Sequence, residues 1–129
     1  LTEHVHFLGT QPSNWIIQHA ANYLALCSPF CLAKNGDRDT GPVVVKEAMA
    51  LGLPVITPQF MGCQEMLTPT TGFLVKPKAP HQLADAIETV QQLKPSQRCA
   101  LLSRARMRLE QNYSSDISAH KLSLAIEGA

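Results

Sequence analysis

GDRDTGPVVVKEAMALGLPVIT, Gly36 to Thr57, decides how this chain is read. It places one acid, Asp39, eight residues before a second, Glu47. Between them Gly41-Pro42 leads into a helix-like run, Val43 to Leu51, followed by Gly52 and a short apolar strand, Pro54 to Thr57. Gly41 lets the backbone come close to a ligand, and Pro42 suits the first helical position, where its missing N–H is no loss. Gly52 suits the C-terminal stop. A helix starting at Pro42 points free N–H groups and a partial positive charge at whatever precedes it, which makes its start an anion site by construction.

Working outward, Val5 to Leu8 (VHFL) is predicted as a short strand stopped by Gly9. Pro12 to His19 has helical spacing, with Trp15, Ile16 and His19 on one side. Tyr23 to Cys27 (YLALC) is a continuous apolar run, the pattern of a strand covered on both faces. Ser28 to Asp39 is a long loop of the kind that carries function. Pro58 to Thr71 reads as irregular, and Gly72 to Val75 (GFLV) as a last short strand. Three helices follow, over Pro80 to Leu93, Ser96 to Asn112 and Ser115 to Ile126. Leu83, Ala86, Ile87 and Val90 form the apolar stripe of the first, and Leu101, Leu102, Ala105 and Leu109 that of the second. Strands alternating with helices predict an α/β fold: a doubly wound, Rossmann-like parallel sheet with helices on both faces. About four strands are expected, with a C-terminal helical block large for so small a sheet. That imbalance, together with a start that has neither an initiator Met nor a basic leader, suggests a sheet truncated at its beginning and a chain cut from a longer one.

With 129 residues the chain is long enough for one small domain. Charged residues make up 16% and the net charge is +1, which leaves no electrostatic footprint for nucleic acid or an acidic membrane surface. No apolar run approaches the ~20 residues of a membrane helix. Cys27, Cys31, Cys63 and Cys99 show no zinc spacing and read as small buried or half-buried thiols of a reducing cytosol. His4, His6, His19, His81 and His120 lack metal spacing, so no metal is expected. Lys34, Asp37 and Arg38 read as a solvated loop, and Arg98, Arg104, Arg106 and Arg108 as a solvated helix face without the interleaved aromatics of a nucleic-acid patch.

Seven segments, in order, resemble the C-terminal, donor-binding domain of retaining GT-B-fold glycosyltransferases of the group 1 family. ANYLALCS, Ala21 to Ser28, resembles that family's "A-D-x-F-V-L-P-S" strand, with Cys27 in place of Pro. The opening stretch resembles "G-D-R-E-G-L-P-x-x-x-x-E-A-M-A-x-G-x-P-V-I". MGCQE, Met61 to Glu65, resembles "G-G-x-P-E", and TGFLVKP, Thr71 to Pro77, resembles "T-G-x-L-V-x-P". APHQLADAI resembles the family's "D-P-x-x-L-A-x-A-I" helix start, NYSSDISAHKL its terminal "F-S-W-x-x-x-A-x-x-L", and VHFLG a family strand and loop. Asp39 stands where Glu is usual, Thr40-Gly41 where Gly and a bulkier residue are commoner, and Met61 where Gly is usual. The family's "G-R…K-G" segment and its N-terminal acceptor-binding domain have no counterpart in these residues.

The resemblance implies transfer of a sugar from a nucleotide diphosphate sugar to a hydroxyl acceptor with retention, a hexosyltransferase-type reaction of glycan biosynthesis in the cytoplasm, with no cofactor. It assigns Asp39 to donor-sugar hydroxyls and Glu47 to the ribose hydroxyls as the catalytic pair. The donor site it implies comprises Ser28, Asp39, Thr40, Gly41, Pro42, Val43 and Glu47. From the residues alone, Asp39 also suits a turn or cap, and Glu47 a helix acid paired to a nearby cation. Glu47 lies at helical distance from Val43, Val44 and Leu51, so it is expected on or beside the apolar stripe of its helix, where a carboxylate needs a partner. Ser28 ends a strand at the carboxyl edge of the sheet, where ligands sit in such folds. Glu65 reads as a structural acid. The acceptor would be bound mainly by parts outside this chain. Those parts would also carry any peripheral membrane association, and the isolated piece would be inactive and prone to self-association. A non-catalytic nucleotide-binding or interaction module of the same fold is the alternative.

Overall fold

A computed structural model describes residues 3–127. Three strands form a parallel sheet in the order β1-β2-β3: Leu26–Cys27, Val55–Pro58 and Phe73–Val75. Leu26 pairs with Val55 and Cys27 with Ile56, and Ile56 pairs with Phe73 on the other side. Parallel neighbours need crossovers, and helices supply them. Helix α1 spans Ser13–His19, α2 Val43–Ala50, α3 Cys63–Met66, α4 Pro80–Gln92, α5 Pro95–Tyr113 and α6 Ser115–Glu127.

Central strand β2 is buried along its whole length. Its side chains alternate between two cores, as pleating requires. Val55 joins Val45, Ala48 and Met49 of α2, Met66 of α3 and Ala105 of α5 on one face. Ile56 joins Val75 and the α4 residues Ala86 and Val90 on the other. Helices on both faces of a parallel sheet are the Rossmann-like arrangement that the alternation of elements predicts.

Helix α2 ends as Gly52 requires. Gly52 adopts φ 71°, and the amides of Gly52 and Leu53 donate back to Met49 and Ala48. Those two bonds make a Schellman motif, which satisfies the last carbonyls of the helix. At the other end Pro42 takes the cap position, with φ −63° and ψ 113°, rather than the first helical one. Its fixed φ fits either place, but its extended ψ leaves it outside the helix.

Four expectations are corrected. Val5 to Leu8 is not a strand: the segment pairs with nothing among the described residues, and Phe7 is 95% exposed. A strand needs a neighbour for its N–H and C=O groups, and the edge of β1 does not take this segment. The sheet therefore has three strands rather than four. Tyr23 to Cys27 is a strand only at Leu26–Cys27, because the segment first closes a turn through Tyr23 N–H to the Ala20 carbonyl. As an edge it leaves Tyr23 and Leu24 exposed rather than covered on both faces. The stretch from Pro58 to Thr71 contains a helical turn, α3, that its prolines mask. Of the four free cysteines only Cys63 is buried.

Among the described residues no helix is long and apolar enough to cross a membrane.

Candidate functional site

The carboxyl ends of β1 and β2 bring three loops together. Ser28 follows β1, and its amide donates to the Ile56 carbonyl. Thr57, fully buried near the end of β2, places Oγ1 3.1 Å from the Ser28 carbonyl and 3.4 Å from Cys63 Sγ. With one proton, the hydroxyl donates to one of these at a time. Burial pushes the Cys63 thiol up from its ordinary value; the negative charge of Asp39 adds to that, and the Thr57 contact opposes it.

The third loop, Asp39 to Pro42, is fixed from both sides. Asp39 Oδ1 accepts from the Gly41 amide at 3.0 Å, a local turn that Asp forms readily. The Thr40 carbonyl accepts from the Gly62 amide at 3.1 Å. Beyond the loop, Val43 and Val44 begin α2, and among the described residues their amides have no acceptor. These are the free donors that every helix start leaves. They lie at the carboxyl side of a parallel sheet, where ligands bind in such folds.

Upstream, the loop from Ser28 is exposed from Cys31 to Gly41, as expected for Lys34, Asp37 and Arg38. It closes on itself through Ala33 N–H to the Asp37 carbonyl and Asp37 N–H to Asn35 Oδ1.

Glu47 lies elsewhere on α2. The apolar stripe of this helix is Val45, Ala48 and Met49, and Glu47 shares the outward face with Val43 and Ala50. It is exposed, which corrects the expectation that it sits on or beside the stripe: at 100° per residue it falls off the edge that Ala48 and Met49 define. Its exposure spares it a desolvation cost, and among the described residues no cation holds it. The ion pair found among the described residues joins Arg106 and Glu110. Glu47 lines a cleft of about 190 Å³ with Ser13, Ile16 and Ile17 of α1, and a second with Arg106 and Tyr113 of α5. Neither cleft includes Ser28 or Asp39. The structure thus gathers Ser28 and Asp39 to Val43 at the sheet edge and sets Glu47 further along the helix.

The sequence profile of the family "Glycosyl transferases group 1" matches residues 1–113. The chain belongs to the group 1 glycosyltransferases. WcaL of Escherichia coli strain K12, described as a colanic acid biosynthesis glycosyltransferase, is 24% identical over 128 residues, covering 98% of this chain and 32% of its own length. The chain therefore spans about a third of that relative. Among solved structures, sucrose-phosphate synthase from Thermosynechococcus elongatus superposes with a TM-score of 0.79 at 24% identity, over 98% of this chain and 30% of the synthase. TarM does so with a TM-score of 0.58 at 18% identity, over 89% of this chain and 22% of its own. These two establish the shared fold.

Three features in and around this candidate site escape sequence reasoning. Thr57 is a polar residue near the end of an apolar strand, a signal that its position offers. Gly62 presses on the Asp39 loop. The arginines of α5 are exposed or half-buried, and each also ties to a main-chain carbonyl. Arg98 donates to the Leu24 carbonyl, Arg104 to Thr70, Arg106 to Ala50 and Arg108 to both Met66 and Glu65. Residues two apart on a helix point about 200° apart, so Arg104, Arg106 and Arg108 could never share one face. That spacing is the signal for them.

Proposed function

We propose that the chain forms the donor-binding part of a retaining, GT-B-type glycosyltransferase, which moves a sugar from a nucleotide diphosphate sugar to a hydroxyl acceptor. The observation that carries this reading is the pair of acceptor-less amides of Val43 and Val44, behind Asp39 to Pro42 at the carboxyl edge of the sheet. The hard step of such a reaction is departure of the diphosphate, on which negative charge grows while the sugar becomes oxocarbenium-like. Fixed N–H dipoles aimed at that charge stabilise it without reorganising. The start of α2 supplies them. Asp39 keeps Oδ2 free of partners among the described residues while Oδ1 holds the Gly41 amide, so one oxygen shapes the loop and the other is left for donor-sugar hydroxyls. Glu47 is solvent-facing and unpaired among the described residues, available to a ribose diol that reaches along α2. No cofactor is proposed. The acceptor, and any contact with a membrane surface, belong to parts beyond these residues, and a cytoplasmic, hexosyltransferase-type enzyme is the setting proposed.

The test is a panel of nucleotide sugars bound to the full-length protein. Glu47→Ala is expected to weaken binding about tenfold to a hundredfold, the effect of about 1–3 kcal/mol for an unmatched diol. Asp39→Ala is expected to lower turnover more than affinity. Wild-type turnover in both variants overturns the assignment.

A further inference from the structure

A four-residue helix does not hold itself, because one turn fixes several dihedral angles for about one hydrogen bond. Helix α3, Cys63–Met66, is held from outside at both ends. At its C-terminal end Arg108 Nε donates to the Met66 carbonyl at 2.8 Å, and Arg108 Nη2 to the Glu65 carbonyl at 2.6 Å. Tyr113 O–H donates to the same Glu65 carbonyl at 2.7 Å. The guanidinium bonds are charge-assisted, and the fork fixes direction as well as distance.

At its N-terminal end the Gly62 amide donates to the Thr40 carbonyl at 3.1 Å. A Cβ at Gly62 would lie 2.4 Å from that oxygen and 3.3 Å from Gly41 Cα. Gly62 has φ −61° and ψ −14°, angles open to any residue. Glycine is needed there for contact, not for conformation. The backbone of residue 62 abuts the loop that shapes the candidate donor site.

We propose that α3 is a strut, about 6 Å long by its helical rise, that sets the position of the Asp39–Val43 loop. Arg108 and Tyr113 are positioning residues for that loop, acting from α5 through α3. The functional part of this inference rests on the loop being donor-facing; the mechanical part does not.

Amide exchange and amide chemical shifts of this chain separate the two. Tyr113→Phe removes one donor and keeps the ring. Arg108→Lys keeps the charge and loses the fork, and Arg108→Met loses both. Tyr113→Phe is expected to speed exchange of the Gly62 amide about three- to tenfold, the effect of one net hydrogen bond. It should also shift the Gly41 and Val43 signals, while amides of α4 stay as they are. Arg108→Met should exceed Arg108→Lys in the same signals. Gly62→Ala should move them from the opposite end. If Tyr113→Phe and Arg108→Lys lower the melting temperature but leave the Gly41, Gly62 and Val43 signals in place, α3 only packs and the strut is refuted.

Binding of UDP, GDP and ADP by the full-length protein is the second readout. Weaker binding of whichever of these the wild type holds, in Tyr113→Phe, supports the whole proposal. Shifted loop signals with unchanged nucleotide affinity keep the strut and overturn the donor-facing reading of the loop.

Discussion

VITP, Val55 to Pro58, and VHFL, Val5 to Leu8, are four-residue segments of similar apolar character, and the fold treats them as opposites. The first is the central strand, sealed from solvent along its length, with α2 and α5 on one side and α4 on the other. The second pairs with nothing among the described residues and leaves Phe7 almost fully in solvent. Helix α1, which follows it, buries none of its residues. Strand propensity is a fit to a half-buried pleated surface rather than a property of the segment. What distinguishes the two is whether neighbours exist to take both ladder edges and both faces.

The comparison breaks first, if it is wrong, in stability. Ile56→Ala removes a side chain with no exposed surface and should cost about 2–5 kcal/mol. Phe7→Ser, although it deletes a larger apolar group, should change stability by no more than about 0.5 kcal/mol. Denaturant titration of both variants tests this directly. Similar losses in the two would mean that Val5 to Leu8 is covered in solution, by a second copy or otherwise.

A smaller effect sharpens the same contrast in the thiols. Cys63 sits in the packed region, while Cys27, Cys31 and Cys99 are exposed. In the native protein Cys63 is expected to be the last alkylated. Its thiol is pushed up in the folded state, so the folded protein holds its proton more tightly than the unfolded chain does. The resulting stability is present at neutral pH and is lost as pH rises above about 8.5, where the unfolded thiol begins to ionise. The wild type should therefore lose stability with alkaline pH faster than Cys63→Ala. Parallel pH profiles for the two would contradict that.

Much of the fold was legible in periodicity. The helices at Val43, Pro80, Pro95 and Ser115, and the strands around Val55 and Phe73, carry stripes or runs with glycine and proline at their ends. These signals are local, and the folded elements obey them. The unread parts depend on partners distant in sequence. Val5 to Leu8 required a neighbour that a local pattern cannot promise. α3 is stabilised by Arg108 and Tyr113, more than forty residues downstream. Of the candidate site, the loop and helix start could be read from Gly41-Pro42 and the flanking acids. The exposure of Glu47 could have been read too, had the stripe been set by Val45, Ala48 and Met49 rather than by Val43 and Val44.

Each arginine of α5 ends on a main-chain oxygen. Any amino acid at that place brings the same oxygen, provided the backbone keeps its path. As far as these ties are concerned, the side chains of Leu24, Ala50, Glu65 and Thr70 are free to drift over generations, Met66 being constrained only by its place in the core, and selection on the ties falls on the arginine side alone. A search for paired substitutions would pass over these fastenings, because a bond with one heritable partner leaves no correlated trace.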